Sequence, residues 1–162
     1  MRKGLDKLAE AVKILRNRKV PIRLRVIGRC PDEIAAIDGV DFLGKIDKIT
    51  HHEAFISAIR TVDLGCQLSR AELCAIAVLE FIRVGVPVMA TEVGGSPDVL
   101  QEGGGVLVSP EFTSEQLAEE LYALMSDSSR YQALRQAAIR RAEWASWRRT
   151  AREMGKFLDD FS

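Results

Sequence analysis

The stretch Asp63–Pro97, DLGCQLSRAELCAIAVLEFIRVGVPVMATEVGGSP, decides the fold. Apolar residues from Leu64 to Leu68 read as a strand. Ser69, Arg70 and Ala71 break it, and the pattern turns helical at about Glu72. A second apolar strand runs from Val86 to Ala90. The pair Gly94–Gly95 closes the run, and a further helix starts at Ser96. Strand–turn–helix units of this kind open a crevice at the carboxyl ends of a parallel sheet, where ligands of open α/β folds sit. The helix start adds unpaired N–H groups and a positive dipole end, which suit phosphate.

Two acids stand out in this stretch, Glu72 and Glu80. Eight helical steps separate them by about 12 Å along the axis. Two carboxyls working on one glycosidic bond sit roughly 5 to 9.5 Å apart, so this spacing fits the two ends of one long ligand better. The residues around Glu80, from Leu73 to Ile82, are otherwise apolar. A helix apolar all round is buried, and a buried carboxylate needs a partner. Either a ribose diol in the crevice or a salt bridge from a nearby Arg meets that need.

Working outward, Leu5, Leu8, Ala9, Val12 and Leu15 give Gly4 to Asn17 the helical period. Pro21 starts a strand, Ile22 to Ile27, in which Arg23 and Arg25 alternate with apolar residues and imply one wet face. Asp32 to Ile37 reads as a short helix and Val40 to Leu43 as a short strand closed by Gly44. Thr50, with Glu53 three residues on, suggests a capping box for a helix from His51 to Thr61. Gly103–Gly105 is a turn into a strand, Val106 to Val108. It is not a P-loop, because no Gly-Lys-Ser or Gly-Lys-Thr follows. Thr113 or Ser114 caps a helix to Met125, Ser128 starts another to Ala145, and Trp147 starts the last, to Phe157. Strands alternating with helices imply a parallel sheet with right-handed crossovers, within one domain spanning residues 1–162.

Composition is that of an ordinary globular protein, 47% hydrophobic and 28% charged, with no net charge to suggest a nucleic-acid partner. Charge is uneven along the chain. Met1–Cys30 carries ten Lys and Arg against two acids, Pro31–Ser129 five against seventeen, and Arg130–Ser162 eight against four. The basic ends read as solvated helix faces, with membrane contact by the last helices as the alternative. Cys30, Cys66 and Cys74 lack metal-ligand spacing and read as buried free thiols in a reducing compartment. Adjacent His51 and His52 point apart on a helix and read as exposed first-turn residues, so no metal site is expected. Trp144 and Trp147 read as packing anchors. No signal peptide or membrane-length apolar run is present, which places the chain in the cytoplasm.

The pattern S-x-x-E-x7-E-x4-G-x-P-V followed by V-G-G-x-P resembles the donor-binding, C-terminal domain of retaining GT-B glycosyltransferases, the glycosyltransferase 4 family. Ser69, Glu72, Glu80, Gly85, Pro87, Val88, Val93, Gly94, Gly95 and Pro97 fall on it. Lys3–Asp6 resembles the family's lysine–glycine motif, Val26–Gly28 and Phe42–Gly44 its next strand ends, and Ser146–Trp147 the opening of its last helix. The resemblance implies a Rossmann-like parallel sheet with helices on both faces and the first strand of the pattern missing. It implies a nucleoside diphosphate sugar as substrate and no cofactor. Glu72 would sit at the donor sugar as the catalytic residue, and Glu80 would bind the ribose hydroxyls. The backbone of Cys74, Ala75 and Ile76 would meet the pyrophosphate and sugar, Lys3 would neutralise the leaving diphosphate, and Ile46 would place its backbone at the base.

Three departures accompany the match. Leu73 and Ala75 stand where the family commonly has glycines. The arginine that precedes the family's lysine by some five residues is absent, and so is the acceptor-binding half. The resemblance thus implies a donor-binding domain inactive alone, awaiting an acceptor domain or companion subunit. The alternatives are a non-catalytic partner subunit of the same fold and a fragment of a sugar-nucleotide epimerase. The family places a strand ahead of the lysine–glycine motif, between the equivalents of Ile22–Ile27 and Leu64–Leu68. Met1 and Arg2 are too few to form it. Either the flanking strands close on each other or another molecule fills the slot, and the expectation is self-association.

Overall fold

The computed structural model describes residues 3–159. Helices and strands alternate as α1 (Leu5–Asn17), β1 (Leu24–Val26), α2 (Asp32–Ala35), β2 (Val40–Phe42), α3 (His52–Arg60), β3 (Gly65–Gln67), α4 (Ile76–Arg83), β4 (Val88–Thr91), α5 (Ser96–Leu100) and β5 (Gly105–Val108). Three helices follow, α6 (Ser114–Ser126), α7 (Ser128–Arg141) and α8 (Trp147–Asp159). This is the order that the periodicity predicts, with the first four strands shorter and β5 one residue longer than expected. All paired strands are parallel.

β4 is the most covered strand, with all four residues buried. Met89 joins a cluster containing Leu8, Val12 and Leu15 of α1 and Leu117 and Leu121 of α6. Its neighbours Val88 and Ala90 join a second cluster with Val78 and Ile82 of α4 and Val99 and Leu100 of α5. Alternate residues of a strand point to opposite faces, so both faces of β4 carry helices. That is why the sequence there is apolar without alternation.

The sheet is split. β1 pairs with β2, β3 with β4, and β4 with β5, and no ladder joins β1 to β3 among the described residues. Leu24 N–H donates to Gly39 O and Leu43 N–H to Val26 O, so the bonding groups of Leu24 and Val26 turn toward β2. Gly65 N–H donates to Pro87 O, toward β4. The flanking strands have therefore not closed on each other. Met1 and Arg2, on which the expectation of a missing strand rests, lie outside the described residues.

The chain enters α1 beside the end of β3. Gly4 has a φ of 69°, and a Cβ there would lie 2.2 Å from Leu68 O. Only glycine tolerates both the left-handed backbone and that approach.

The alternating arginines do not make a plain solvent face. Arg23 pairs with Asp41 at 2.5 Å. Arg25 Nη1 donates to Ala58 O at 2.9 Å and to Thr61 Oγ1 at 2.7 Å, at the C-terminal end of α3 where a helix dipole favours a cation.

Capping corrects one expectation and meets another. Thr50 caps nothing, since His51 is the N-cap of α3 and no side chain bonds there. The Thr50 hydroxyl lies 2.8 Å from His51 Nδ1 instead, and the Asp47 carboxylate accepts from Ile49 N–H at 2.8 Å and Thr50 N–H at 3.1 Å. Thr113 and Gln116 form a full capping box on α6. Trp147 is no packing anchor, being 87% exposed. The guanidinium groups of Arg141 and Arg149 lie over the Trp144 ring, 4.2 and 4.4 Å from its centre.

Candidate functional site

The carboxyl ends of β3 and β4 and the loops that follow them meet at one end of the sheet. After β3 the chain does not enter a helix at Glu72. Residues 69–75 form a loop, and α4 begins at Ile76. Two features impose this. Ala75 sits in the left-handed region at φ 47°, ψ 38°, which interrupts any helical run. The Leu73 carbonyl, which a helix would need for itself, accepts from Gly95 N–H at 2.9 Å. Glu72 is therefore off the helix, and helical rise does not set its separation from Glu80.

The loop is anchored from below. Ser69 is fully buried, and its carbonyl accepts from Thr91 Oγ1 at the end of β4. The Gln67 side chain accepts from Val78 N–H at 3.2 Å, which satisfies one orphan donor in the first turn of α4. From the side, Gly94 presses on Glu72, because a Cβ on Gly94 would lie 2.0 Å from Glu72 O. Leu73 and Ile76 stand out into solvent, 82% and 59% exposed. Cys74 is exposed as well, which corrects its reading as a buried helical thiol. The start of α4 thus opens outward, with its positive dipole end toward the crevice.

Two ion pairs flank that helix start. Glu72 Oε2 accepts from Lys3 Nζ at 2.8 Å and lies 3.5 Å from Ser69 Oγ, while Oε1 accepts from Leu73 N–H at 3.1 Å. Lys3 is thus brought to Glu72, at the mouth formed by the ends of β3 and β4. On α4 itself, Glu80 is partly buried, its side chain 25% exposed, and Oε1 accepts from Lys48 Nζ. The helix is not buried on all sides, and the partner of Glu80 is a lysine from the loop between β2 and α3, not an arginine. The Lys48 ammonium also rests 4.5 Å from the ring centre of Phe55, a buried residue of α3. The lysine brings the loop of half-buried Ile46 beside Glu80.

Of the residues singled out from sequence, Lys3, Glu72, Cys74, Ala75 and Ile76 gather at the start of α4. Glu80 and the Ile46 loop meet one helical turn further on. Lys48, Phe55, Gln67 and Thr91 were not singled out. For Lys48 a signal existed: a basic residue two positions past Ile46, and an acid known to need a donor. His51 and His52 are exposed, and among the described residues no three His, Cys, Asp or Glu side chains gather to hold a metal ion. Chemically, the crevice offers a cation and a helix start for an anion at one end, and a carboxylate acceptor for hydroxyl groups at the other.

A crevice of this kind, at the carboxyl ends of a doubly covered parallel sheet, is where nucleotide-binding α/β proteins hold their ligands. The chain belongs to the family of group 1 glycosyl transferases, whose model matches residues 1–141. It is 29% identical over 159 residues to D-inositol 3-phosphate glycosyltransferase of Segniliparus rotundus, covering 92% of this chain and 35% of that protein. It is 27% identical over 154 residues to phosphatidyl-myo-inositol mannosyltransferase of Mycobacterium leprae, covering 89% and 40%. Among solved structures, sucrose-phosphate synthase of Thermosynechococcus elongatus superposes with a TM-score of 0.74 at 24% identity, over 99% of this chain and 42% of that one. Anabaena HepE, in complex with UDP and glucose, superposes with a TM-score of 0.72 at 19% identity, over 98% and 45%. The fold is that of a GT-B glycosyltransferase domain, and the chain spans about two fifths of the length of these curated relatives. Among the described residues no helix is long and apolar enough to cross a membrane.

Proposed function

We propose that residues 1–162 form the nucleotide-sugar-binding domain of a retaining glycosyltransferase, which moves a glycosyl group from a nucleoside diphosphate sugar to an acceptor held by another domain or subunit. The observation that carries this reading is the pairing of two carboxylate stations, one in the loop before α4 and one on α4 itself. Glu72, with Lys3, sits at the start of α4, and Glu80 faces the Ile46 loop further along. A nucleoside diphosphate sugar has matching parts: a diol on the ribose, two phosphates, and a sugar at the far end.

In this reading Glu80 accepts from the ribose hydroxyls while the start of α4 and Lys3 meet the diphosphate. Lys3 is more than half exposed, so it turns from Glu72 to a phosphate oxygen at little cost. Its charge and the helix N–H groups then stabilise the leaving diphosphate in the transition state. Glu72 stands at the sugar end as the catalytic residue. The left-handed Ala75 supports phosphate approach, since its backbone has the shape that glycine adopts freely. Without the acceptor wall, slow donor hydrolysis is the most the domain would perform.

The test is calorimetric titration with UDP, GDP and ADP, followed by Glu80→Gln with the tightest binder. The variant should weaken binding by about 1.5–3 kcal/mol, the worth of a charge-assisted hydrogen bond. Its melting curve should barely move. Equal affinity in both proteins would remove Glu80 from the donor site, and robust sugar transfer by the domain alone would overturn the donor-domain reading.

A further inference from the structure

We infer that Lys48 is a positioning residue of the donor site, one that ties down one oxygen of Glu80 so that the other faces the ribose. The inference rests on the donor-site reading above and adds to it a residue that no sequence motif indicated. Three observations carry it. First, the Lys48 ammonium donates to Glu80 Oε1 alone, and no contact to Oε2 is seen among the described residues. An ionised carboxylate is an acceptor only, with lone pairs on both oxygens, so Oε2 keeps its full capacity for hydroxyl donors. Second, the lysine is held on two sides, by Glu80 and by the Phe55 ring 4.5 Å away. A cation over an aromatic face gains electrostatic stabilisation from the ring. Third, the backbone that carries Lys48 is fixed. Asp47 accepts from the two amides after Lys48, and its carbonyl accepts from His51 N–H at 2.8 Å.

An exposed ion pair of this kind does little for stability. Its effect is on the freedom of Glu80. A glutamate side chain has several rotamers to lose when a ligand fixes it, and losing them beforehand improves affinity. Lys48 and Phe55 impose that loss before any nucleotide arrives. The pair also joins a loop of the β1–β2 sheet to a helix of the β3–β5 sheet, across the place where no ladder runs.

The experiment compares wild type, Lys48→Met, Lys48→Arg, Glu80→Gln and the Lys48→Met/Glu80→Gln double variant. The ligands are the tightest binder among UDP, GDP and ADP and its 2′,3′-dideoxy analogue. Melting curves check that each variant is folded, which the half-exposed Lys48 should allow. Lys48→Met should weaken the ribonucleotide about fivefold and leave the dideoxy analogue unchanged. Lys48→Arg should recover most of the loss, and Lys48→Met should add nothing in the Glu80→Gln background. Lys48→Met binding the ribonucleotide as well as or better than wild type, while Glu80→Gln weakens it, would overturn the role of Lys48 and leave the donor site standing. Equal weakening of both ligands would overturn it too, since the lysine would then act on phosphate or base. No loss in Glu80→Gln, or no binding of any nucleotide by wild type, would overturn the donor-site reading and this inference with it.

Discussion

Replacing Gly94 by Ala should unseat the loop that carries Glu72. Gly94 has a φ of 55°, in the left-handed region. A side chain there costs roughly 1–2 kcal/mol. The new Cβ would lie 2.0 Å from Glu72 O and 2.6 Å from Glu72 C, both backbone atoms of a different loop. A carbon and a carbonyl oxygen stand no closer than about 3.3 Å, so the Glu72–Leu73 peptide must retreat by about 1.3 Å. That retreat breaks the Gly95 N–H to Leu73 O bond, a loss of about 0.5–1.5 kcal/mol. The stiffer unfolded chain returns about 0.4–1 kcal/mol. The net expectation is a loss of about 0.5–3 kcal/mol in urea unfolding, with nucleotide affinity down about tenfold as the start of α4 shifts. Gly95→Ala is the control. Gly95 has a φ of −78° and its nearest contact would be 3.1 Å, so little should change. Gly94→Ala within about 0.5 kcal/mol of wild type, with unchanged affinity, would refute the reasoning, since that is the range of an unremarkable surface substitution.

Thiol labelling at pH 8 should find Cys74 first, because it alone of the three is exposed. Desolvation pushes the Cys66 thiol up to about 12, so this partly exposed thiol should react more slowly than Cys74; a fast reaction mapped to Cys66 in Cys74→Ser would contradict this. Asp127 caps α7, and hydrogen bonds from Arg130 N–H and Ser129 Oγ hold its carboxyl below the ordinary range. Its contribution is therefore complete above the ordinary carboxylate value and is lost as pH falls through the lower folded value. The melting-temperature gap between wild type and Asp127→Ala should narrow from pH 7 to pH 3, and a constant gap would disprove it. The edges of β1 and β3, unladdered to each other among the described residues, should drive self-association, seen as a mass that rises with concentration in light scattering. A strict monomer at high concentration, with protected amides in both strands, would count against it.

Period and punctuation carried most of the fold. The apolar spacing of α1 and the continuous run through β4 reflect one and two buried faces, and such patterns survive in sequence because burial sets them residue by residue. The start of α4 was misplaced because Leu73 and Cys74 look like helix interior. What excludes them is a tertiary bond from Gly95 and a strained Ala75, neither of which leaves a local mark. The same error made Cys74 look buried. Glu80 was legible as an acid needing a donor, and Lys48, two positions past Ile46, was a basic candidate for it, but no spacing rule connects residues 32 apart. Lys3 was assigned to the leaving diphosphate and Glu72 to the donor sugar, and only the folded chain shows the two side chains paired 2.8 Å apart.

The break between the two ladders has a mechanical consequence. A continuous sheet fixes the width of the crevice above it through rows of hydrogen bonds that stretch very little. Among the described residues the β1–β2 half and the β3–β5 half are joined by side-chain packing, chiefly the α1 and α6 residues that enclose Leu24, Val26, Leu68 and Met89. Packing of that sort yields to sliding more readily than a ladder does. A nucleotide held by Glu80 on one half and by the Ile46 loop on the other would act as a brace across the joint. Its binding would narrow the range of spacings and stabilise the fold by about 2.7 kcal/mol at a hundredfold excess over Kd, seen as a higher unfolding temperature.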